Sequence, residues 1–199
     1  MNLHLRFDSI TGIPCKERNI VSEKVSILFN AAALCSQAAI QQSRSSLIGL
    51  ETSSEYFQKS AGILNYILDH FREYCSKEYY GKDISDKTLK LLINLMIIQA
   101  REASFLMQEL CNDSRESCDV AKESARLSLE YESLVLHLVN NKCVIPYTWN
   151  TLFMVKQSYY AALADYSVAV EMLANDGNIL KDIKEHSNLG DMKDQPAEL

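Results

Sequence analysis

His137 and Cys143 are the two residues of this chain whose types and spacing come closest to a catalytic pair. A histidine that removes the proton of a cysteine thiol creates a thiolate, which is the attacking group in one kind of nucleophilic catalysis. These two residues lie across the predicted end of a helix, and no third side chain is recognisable that would orient the histidine. We therefore predict no catalytic residues.

Metal-binding side chains are present but scattered. His4, His70 and His186 are far apart in the sequence, and no Glu-x-x-His pair of the di-iron helical bundles occurs. The six cysteines include no Cys-x-x-Cys and no Cys/His set with zinc-finger spacing. No Gly-rich phosphate-binding motif is present either. We predict no metal and no cofactor, and we interpret the cysteines as reduced thiols of a cytoplasmic protein, with a disulfide framework as the alternative.

Composition narrows the class of protein further. The 199 residues carry a net charge of −6, whereas binding to nucleic acid requires clustered lysine and arginine, so we expect no nucleic-acid partner. The most apolar run, residues 91–98, is about half the length that a membrane span needs, so we also expect no transmembrane segment. A single domain of ordinary globular composition fits this length.

Five segments carry apolar residues at the spacing of one helix face. In the second segment, for example, Phe57, Ala61, Leu64 and Leu68 follow one another at intervals of four, three and four. The predicted helices span residues 17–43, 50–76, 86–110, 115–140 and 146–175. Ser85 is suited to cap the third helix and Pro146 to open the fifth. Because the connections are short, the predicted fold is all-α: elongated antiparallel helical hairpins, stacked like tetratricopeptide repeats.

The predicted helical domain spans residues 17–176. Residues 1–16 precede it as a loop or the remnant of a strand, because Pro14 excludes a helix interior there. Asp176-Gly177 is typical of a helix end, and we expect residues 177–199 to form a flexible tail.

Three of these segments resemble the Bro1 domain family. EKVSILFNAAALCSQ (23–37), YFQKSAG (56–62) and LMIIQARE (95–102) are similar, in order and spacing, to the most recognisable helices of that family. The resemblance implies a curved, all-helical, non-catalytic scaffold that is longer than this chain, with this chain as its middle part.

Within the family, the chain most resembles the rhophilins. DSITGIP (8–14) and IPYTW (145–149) are similar to rhophilin segments. This resemblance implies a scaffold that mediates protein–protein interactions in Rho signalling and cytoskeletal organisation. Rhophilins also carry a Rho-binding helical hairpin and a PDZ domain, which this sequence does not contain, so we expect a fragment or an isoform.

A second function is implied by the endosomal members of the family. In those proteins a hydrophobic patch receives the C-terminal amphipathic helix of an ESCRT-III subunit, which implies an endosome-associated adaptor with such a partner. Independently, helix two has a second apolar row, Ile63, Ile67 and Tyr74, offset from its main stripe. We predict that this row helps to form a groove for a partner. The alternative is that it packs against another helix of the same fold.

Overall fold

The fold consists of α-helices joined by short loops. The computed structural model describes residues 7–15, 20–75, 81–111, 117–141, 143 and 145–190, with side chains as far as residue 176. The helices are α1 (Ile20–Ile40), α2 (Leu47–His70), α3 (Arg72–Cys75), α4 (Asp86–Cys111), α5 (Ser117–Asn141) and α6 (Tyr147–Gly190). These ranges contain no β-strand, only an isolated bridge between Phe7 and Pro14. The predicted all-α class is confirmed.

The long helices stack in the order of the chain. α1 packs on α2, α2 on α4, α4 on α5, and α5 on α6. Each of α2, α4 and α5 therefore has a helix on two sides, which is why their apolar residues are not confined to one narrow stripe. The stack has a common core, to which α2, α4 and α5 contribute Phe57, Leu68, Leu89, Leu95, Leu127 and Leu134. The predicted stack of helical hairpins is what the chain forms.

α2 differs at both ends from the predicted helix over residues 50–76. It begins at Leu47, because the Ser46 hydroxyl accepts a hydrogen bond from the Gly49 N–H at 3.1 Å and so caps the first turn. It ends at His70, where Phe71 leaves the helical conformation (φ −124°, ψ 25°) before the short α3. The Phe71 ring packs edge-on against Tyr66, with ring centroids 6.3 Å apart. The sequence had predicted one continuous helix here.

Hydrogen bonds of two buried aspartates hold the N-terminal loop against the turn before α4. The Asp8 carboxylate accepts hydrogen bonds from the N–H groups of Ile10 at 2.9 Å and Thr11 at 2.8 Å, and also from those of Lys82 and Asp83. In return, the Asp83 carboxylate accepts from the Ser9 N–H and hydroxyl, both at 2.8 Å. Residues 7–15 are therefore a docked loop, whereas residues 1–6 and 16 lie outside the described ranges.

The start of α4 agrees with its predicted cap. The Ser85 hydroxyl accepts a hydrogen bond from the Thr88 N–H at 3.3 Å, and the helix begins at Asp86. The prediction of an N-cap at Ser85 is confirmed.

α6 is longer than predicted. It continues through Asp176-Gly177, where we expected a stop, and ends at Gly190. A glycine inside a helix is less favourable than alanine by about 1 kcal/mol, which is too little to end a helix whose flanking residues can continue it. Residues 191–199 lie outside the described ranges, so the predicted flexible tail stays a prediction for them.

An apolar cavity of about 220 Å³ lies where the beginning of α6 meets α1, α2 and α4. Phe29, Leu64 and Met96 line it, and the half-buried Trp149 forms part of its wall. The indole ring also packs against Phe153, with centroids 6.4 Å apart. Trp149 thus ties the first turn of α6 to the core.

Candidate interaction surface

An open apolar groove runs between α1 and α2. It has a volume of about 400 Å³ and is lined by Leu28, Cys35, Lys59, Gly62, Ile63 and Tyr66. The two residues from α1 are seven apart, and the four from α2 follow the intervals of a single helix face. We call this surface the α1–α2 groove.

Gly62 gives the groove its open space. A Cβ atom placed on Gly62 would meet no atom within 4 Å. Neighbouring turns of α2 contribute larger side chains, so the glycine leaves a depression between Lys59 and Tyr66. A glycine in the middle of a helix is unfavourable for stability, and here it creates room at the surface.

Ile63 is the one residue of the predicted row that lies along this groove. It is half-buried and packs its inner side on the core. Ile67 is 0% exposed, and Tyr74 is buried as well. These two side chains form part of the core, as the alternative interpretation held. Ile67 is buried because α2 has α1 on one side and α4 on the other, whereas Tyr74 lies on the short α3 and not on α2 as predicted. Neither has surface to offer a partner in this conformation.

Lys59 places a positive charge at the rim of the groove. Its ammonium group is 3.3 Å from a carboxylate oxygen of Glu55 and 4.9 Å from the centre of the Tyr56 ring. Both Lys59 and Glu55 are well exposed, so this ion pair is weak and can exchange for another acidic partner. The rim is therefore suited to a ligand with carboxylates beside its apolar face.

The outer face of α1 adds apolar surface. Ile20, Ile27 and Leu34 lie seven residues apart, and the last two are 66% and 65% exposed. These side chains stay exposed because only one face of α1, the face toward α2, is covered in the described structure. Exposed apolar side chains that share one face of a helix are a feature of protein interaction sites.

Periodicity alone missed most of the groove residues. Leu28, Cys35, Gly62 and Tyr66 were not among the predicted partner-binding residues. The available signal was the glycine in the middle of an otherwise regular helix, since such a residue often marks a close approach or an opening.

The candidate catalytic pair lacks the features of an activated nucleophile. A ring nitrogen of His137 lies 3.1 Å from the backbone carbonyl oxygen of Lys87. Burial raises the pKa of the Cys143 thiol, although the charge of Lys87 partly offsets this effect, so the thiolate is disfavoured. Neither observation suits a cysteine that attacks a substrate.

The described part of the chain offers neither a metal site nor a membrane span. No three His, Cys, Asp or Glu side chains there lie together in a way that could hold a metal ion. None of the described helices is both long and apolar enough to span a membrane.

Comparisons with known proteins agree with the helical stack. The BRO1-like domain family matches residues 6–188. Rhophilin-2-B of Xenopus laevis is 37% identical over 182 residues, which cover 88% of this chain and 26% of that protein. Rhophilin-2 of Homo sapiens is 35% identical over 172 residues, covering 84% of this chain and 24% of that protein. This chain therefore spans about a quarter of the length of these relatives.

A solved structure shares the fold. The structure described as an ALIX BRO1 CHMP4C complex superposes with a TM-score of 0.73 and 24% sequence identity. The superposition covers 86% of this chain and 48% of that chain. The arrangement of helices seen here is thus the arrangement of part of a known all-helical domain.

Proposed function

Because this chain belongs to the BRO1-like domain family, we propose that it is a non-catalytic adaptor whose α1–α2 groove receives an amphipathic helix of a partner protein. The observation that carries this proposal is the groove itself, an open apolar depression of about 400 Å³ with a cation at its rim. Helix-in-groove recognition depends on a few apolar anchors at intervals of three and four residues.

The shape and the charge of the groove both fit such a partner. Gly62 leaves room for one apolar side chain between Ile63 and Leu28, and the exposed Ile27 and Leu34 extend the apolar surface along α1. Lys59 can pair with an acidic residue that borders the apolar face of the incoming helix. A partner helix with leucine or isoleucine anchors and flanking carboxylates is complementary to this surface.

Two kinds of partner are proposed. Similarity to rhophilins supports a scaffold that mediates protein–protein interactions in Rho signalling and cytoskeletal organisation. The second candidate is the C-terminal amphipathic helix of an ESCRT-III subunit, which is supported by the groove and by the BRO1 domain of ALIX, whose structure is a complex with CHMP4C. We propose a cytoplasmic location, with association to endosomes as part of the second candidate.

Binding of a labelled peptide tests the groove. A fluorescent peptide of the CHMP4C C-terminal helix is titrated into the chain, and its anisotropy is measured. We expect Gly62→Trp to weaken binding by about tenfold or more, because the indole would occupy the depression, and a Cβ atom at this position meets no atom within 4 Å. Ile63→Asp should have a similar effect. Gly62→Ala and Ile97→Asp, a change on α4 away from the groove, should bind like the unaltered chain.

The outcomes separate the two kinds of partner. If the CHMP4C peptide does not bind the unaltered chain, the ESCRT-III candidate is rejected. The same Gly62→Trp variant is then compared with the unaltered chain for binding to purified Rho-pathway proteins. If no partner distinguishes Gly62→Trp from Gly62→Ala, the groove is not the interaction site.

A further inference from the structure

A second cavity, separate from the α1–α2 groove, lies between the end of α1 and the first turns of α6. Its volume is about 220 Å³, and α2 and α4 form its floor. The residues at its mouth are Ile40, Arg44 and Leu152, all of which are at least half exposed, so the cavity is open to solvent on that side. Phe57, Leu95 and Phe153 give it apolar walls.

A buried carboxylate lies at one end of this cavity. Glu102 is 4% exposed, and one of its oxygens accepts a hydrogen bond from the Tyr131 hydroxyl at 2.6 Å. The other oxygen is 3.0 Å from the Arg44 guanidinium and also accepts from the Lys156 ammonium. Burial raises the pKa of Glu102, but the hydrogen bonds and the positive charges of its partners outweigh burial, so its net pKa lies below the ordinary value.

The charges around the cavity do not balance. Arg44 and Lys156 contribute two positive charges and Glu102 one negative charge, while burial raises the pKa of Tyr131 and keeps its hydroxyl neutral. The Arg44 side chain is 63% exposed, so its guanidinium has donors that Glu102 does not occupy. A ligand with one negative charge would neutralise the site, whereas a cation would be repelled.

Gln99 presents an unused acceptor in the same cavity. Its side-chain carbonyl oxygen is shut off from solvent and accepts no hydrogen bond from any of the described residues. A buried acceptor without a donor is unfavourable, and a ligand that supplies an O–H or N–H would remove that cost once the Gln99 side chain turns its amide toward the cavity that it lines.

We propose that this cavity binds a small monocarboxylate that carries a hydroxyl or N–H group and an apolar body. The carboxylate pairs with Arg44 and Lys156, the donor group binds the Gln99 carbonyl oxygen, and the apolar body fills the space between Phe57, Leu95 and Phe153. The volume is sufficient for one aromatic ring with a short polar arm, since a cavity of about 150 Å³ already holds benzene.

The probe for this site is mandelate, which combines a phenyl ring, a hydroxyl and a carboxylate. Mandelate is titrated into the isotope-labelled full chain up to about 10 mM, and chemical shifts are followed by nuclear magnetic resonance. We expect saturable shifts at residues around the cavity, such as Ala39, Ala103 and Leu152. Phenylacetate, which lacks the hydroxyl, and mandelamide, which lacks the charge, should each bind about tenfold more weakly.

Two variants assign the contacts. Arg44→Gln should weaken mandelate binding by about tenfold or more, whereas Arg126→Gln, which removes a similarly exposed arginine on α5, should not change it. Gln99→Leu should abolish the difference between mandelate and phenylacetate. Circular dichroism of each variant confirms that it is folded.

Several results would overturn the proposal. These are the absence of saturable shifts at about 10 mM, shifts that lie away from the cavity, or equal binding by the Arg44→Gln and Arg126→Gln variants. Binding of a short peptide that ends in phenylalanine, with no binding of mandelate, would also reject a free small carboxylate as the ligand.

Discussion

At the level of single residues, the N-terminal loop depends on Asp8. Its carboxylate is nearly buried, which raises its pKa, but four backbone N–H groups bind it and outweigh burial, so the net pKa lies below 3.8. The ionised form therefore stabilises the fold. This contribution is complete above the unfolded value of 3.8 and is lost as the pH falls through the lower folded value.

Asp8→Asn should lower the free energy of unfolding by about 2 kcal/mol at neutral pH, because the neutral amide has one acceptor oxygen where the carboxylate has two. The difference between the variant and the unaltered chain should shrink as the pH falls below 3.8, when the aspartate protonates. Urea denaturation at a series of pH values, from neutral pH to below the unfolded pKa of Asp8, measures this difference in the free energy of unfolding. Asp69→Asn is the control, since the Asp69 carboxylate is exposed and accepts a hydrogen bond from the Asn65 side-chain amide. A difference that is independent of pH would contradict the role assigned to the charge.

Glu102 is the second buried carboxylate on which the fold depends. Glu102→Gln should destabilise the chain by about 2 to 3 kcal/mol, because Tyr131 keeps a weaker acceptor and Lys156 loses its counter-ion. Chemical denaturation checks this, with the exposed Glu132→Gln as a control that should change stability by no more than about 0.5 kcal/mol. If both variants are equally stable, the charge of Glu102 contributes nothing to folding.

Single-residue roles were the hardest to predict from the sequence. Ile63 and Ile67 are four residues apart, which turns the helix only about 40° beyond one full revolution. Such a small angle cannot tell a residue that lines an open groove from one that is fully buried. The difference arises from how closely α1 and α4 approach α2, which periodicity does not encode.

At the level of helices, two glycines of α2 should respond to substitution in opposite directions. Gly62→Ala should stabilise the chain by about 0.5 to 1 kcal/mol, because alanine is the better helix former and its methyl group meets open space. Gly49→Ala should destabilise it by about 1 to 3 kcal/mol. A Cβ atom on Gly49 would lie 2.3 Å from the Ser43 carbonyl oxygen and 2.8 Å from the Ser46 hydroxyl oxygen.

Thermal or urea denaturation of the two variants provides the test, and each serves as the control for the other. If both substitutions stabilise the chain, helix propensity dominates and the close approach at the N-cap of α2 has no consequence. If both destabilise it, the open space assigned to Gly62 is contradicted.

The existence of the helices was predictable, because few other secondary structures fit long periodic apolar patterns. The N-cap of α4 was predictable because serine is a preferred residue type at that position. The interruption at Phe71 was not predictable, since no proline or glycine marks it. The stop expected at Asp176-Gly177 was wrong, because a local turn signal competes with the helix propensity of its neighbours.

At the level of the whole molecule, the stack is held by contacts between successive helices. α4 lies in the middle with neighbours on two sides, whereas α1 is held mainly by α2. Such an arrangement opens from its ends. We expect the backbone amides of α4 to exchange with solvent deuterium about tenfold or more slowly than those of α1, as measured by mass spectrometry of peptic fragments. Equal protection of α1 and α4 would mean that the chain opens only as one cooperative unit.

The overall architecture was predictable, whereas the α1–α2 groove and the cavity beside Glu102 were not. Helix order and antiparallel stacking follow from short connections, and the family resemblance agreed with them. The α1–α2 groove depends on how closely two consecutive helices pack. The cavity beside Glu102 depends on side chains that are distant in the sequence, such as Arg44 and Lys156. No spacing rule along one helix brings such residues together.

Trp149 is the sole tryptophan of the chain, and it forms part of the wall of the apolar cavity where α6 begins. The intrinsic fluorescence of the protein excited at the red edge of its absorption therefore originates from a single indole. Its emission wavelength reports the polarity of one place in the molecule, and far-ultraviolet circular dichroism reports all the helices together. If the fluorescence and the circular dichroism change at different denaturant concentrations, the order shows whether water enters the apolar cavity beside Trp149 before the helices unfold.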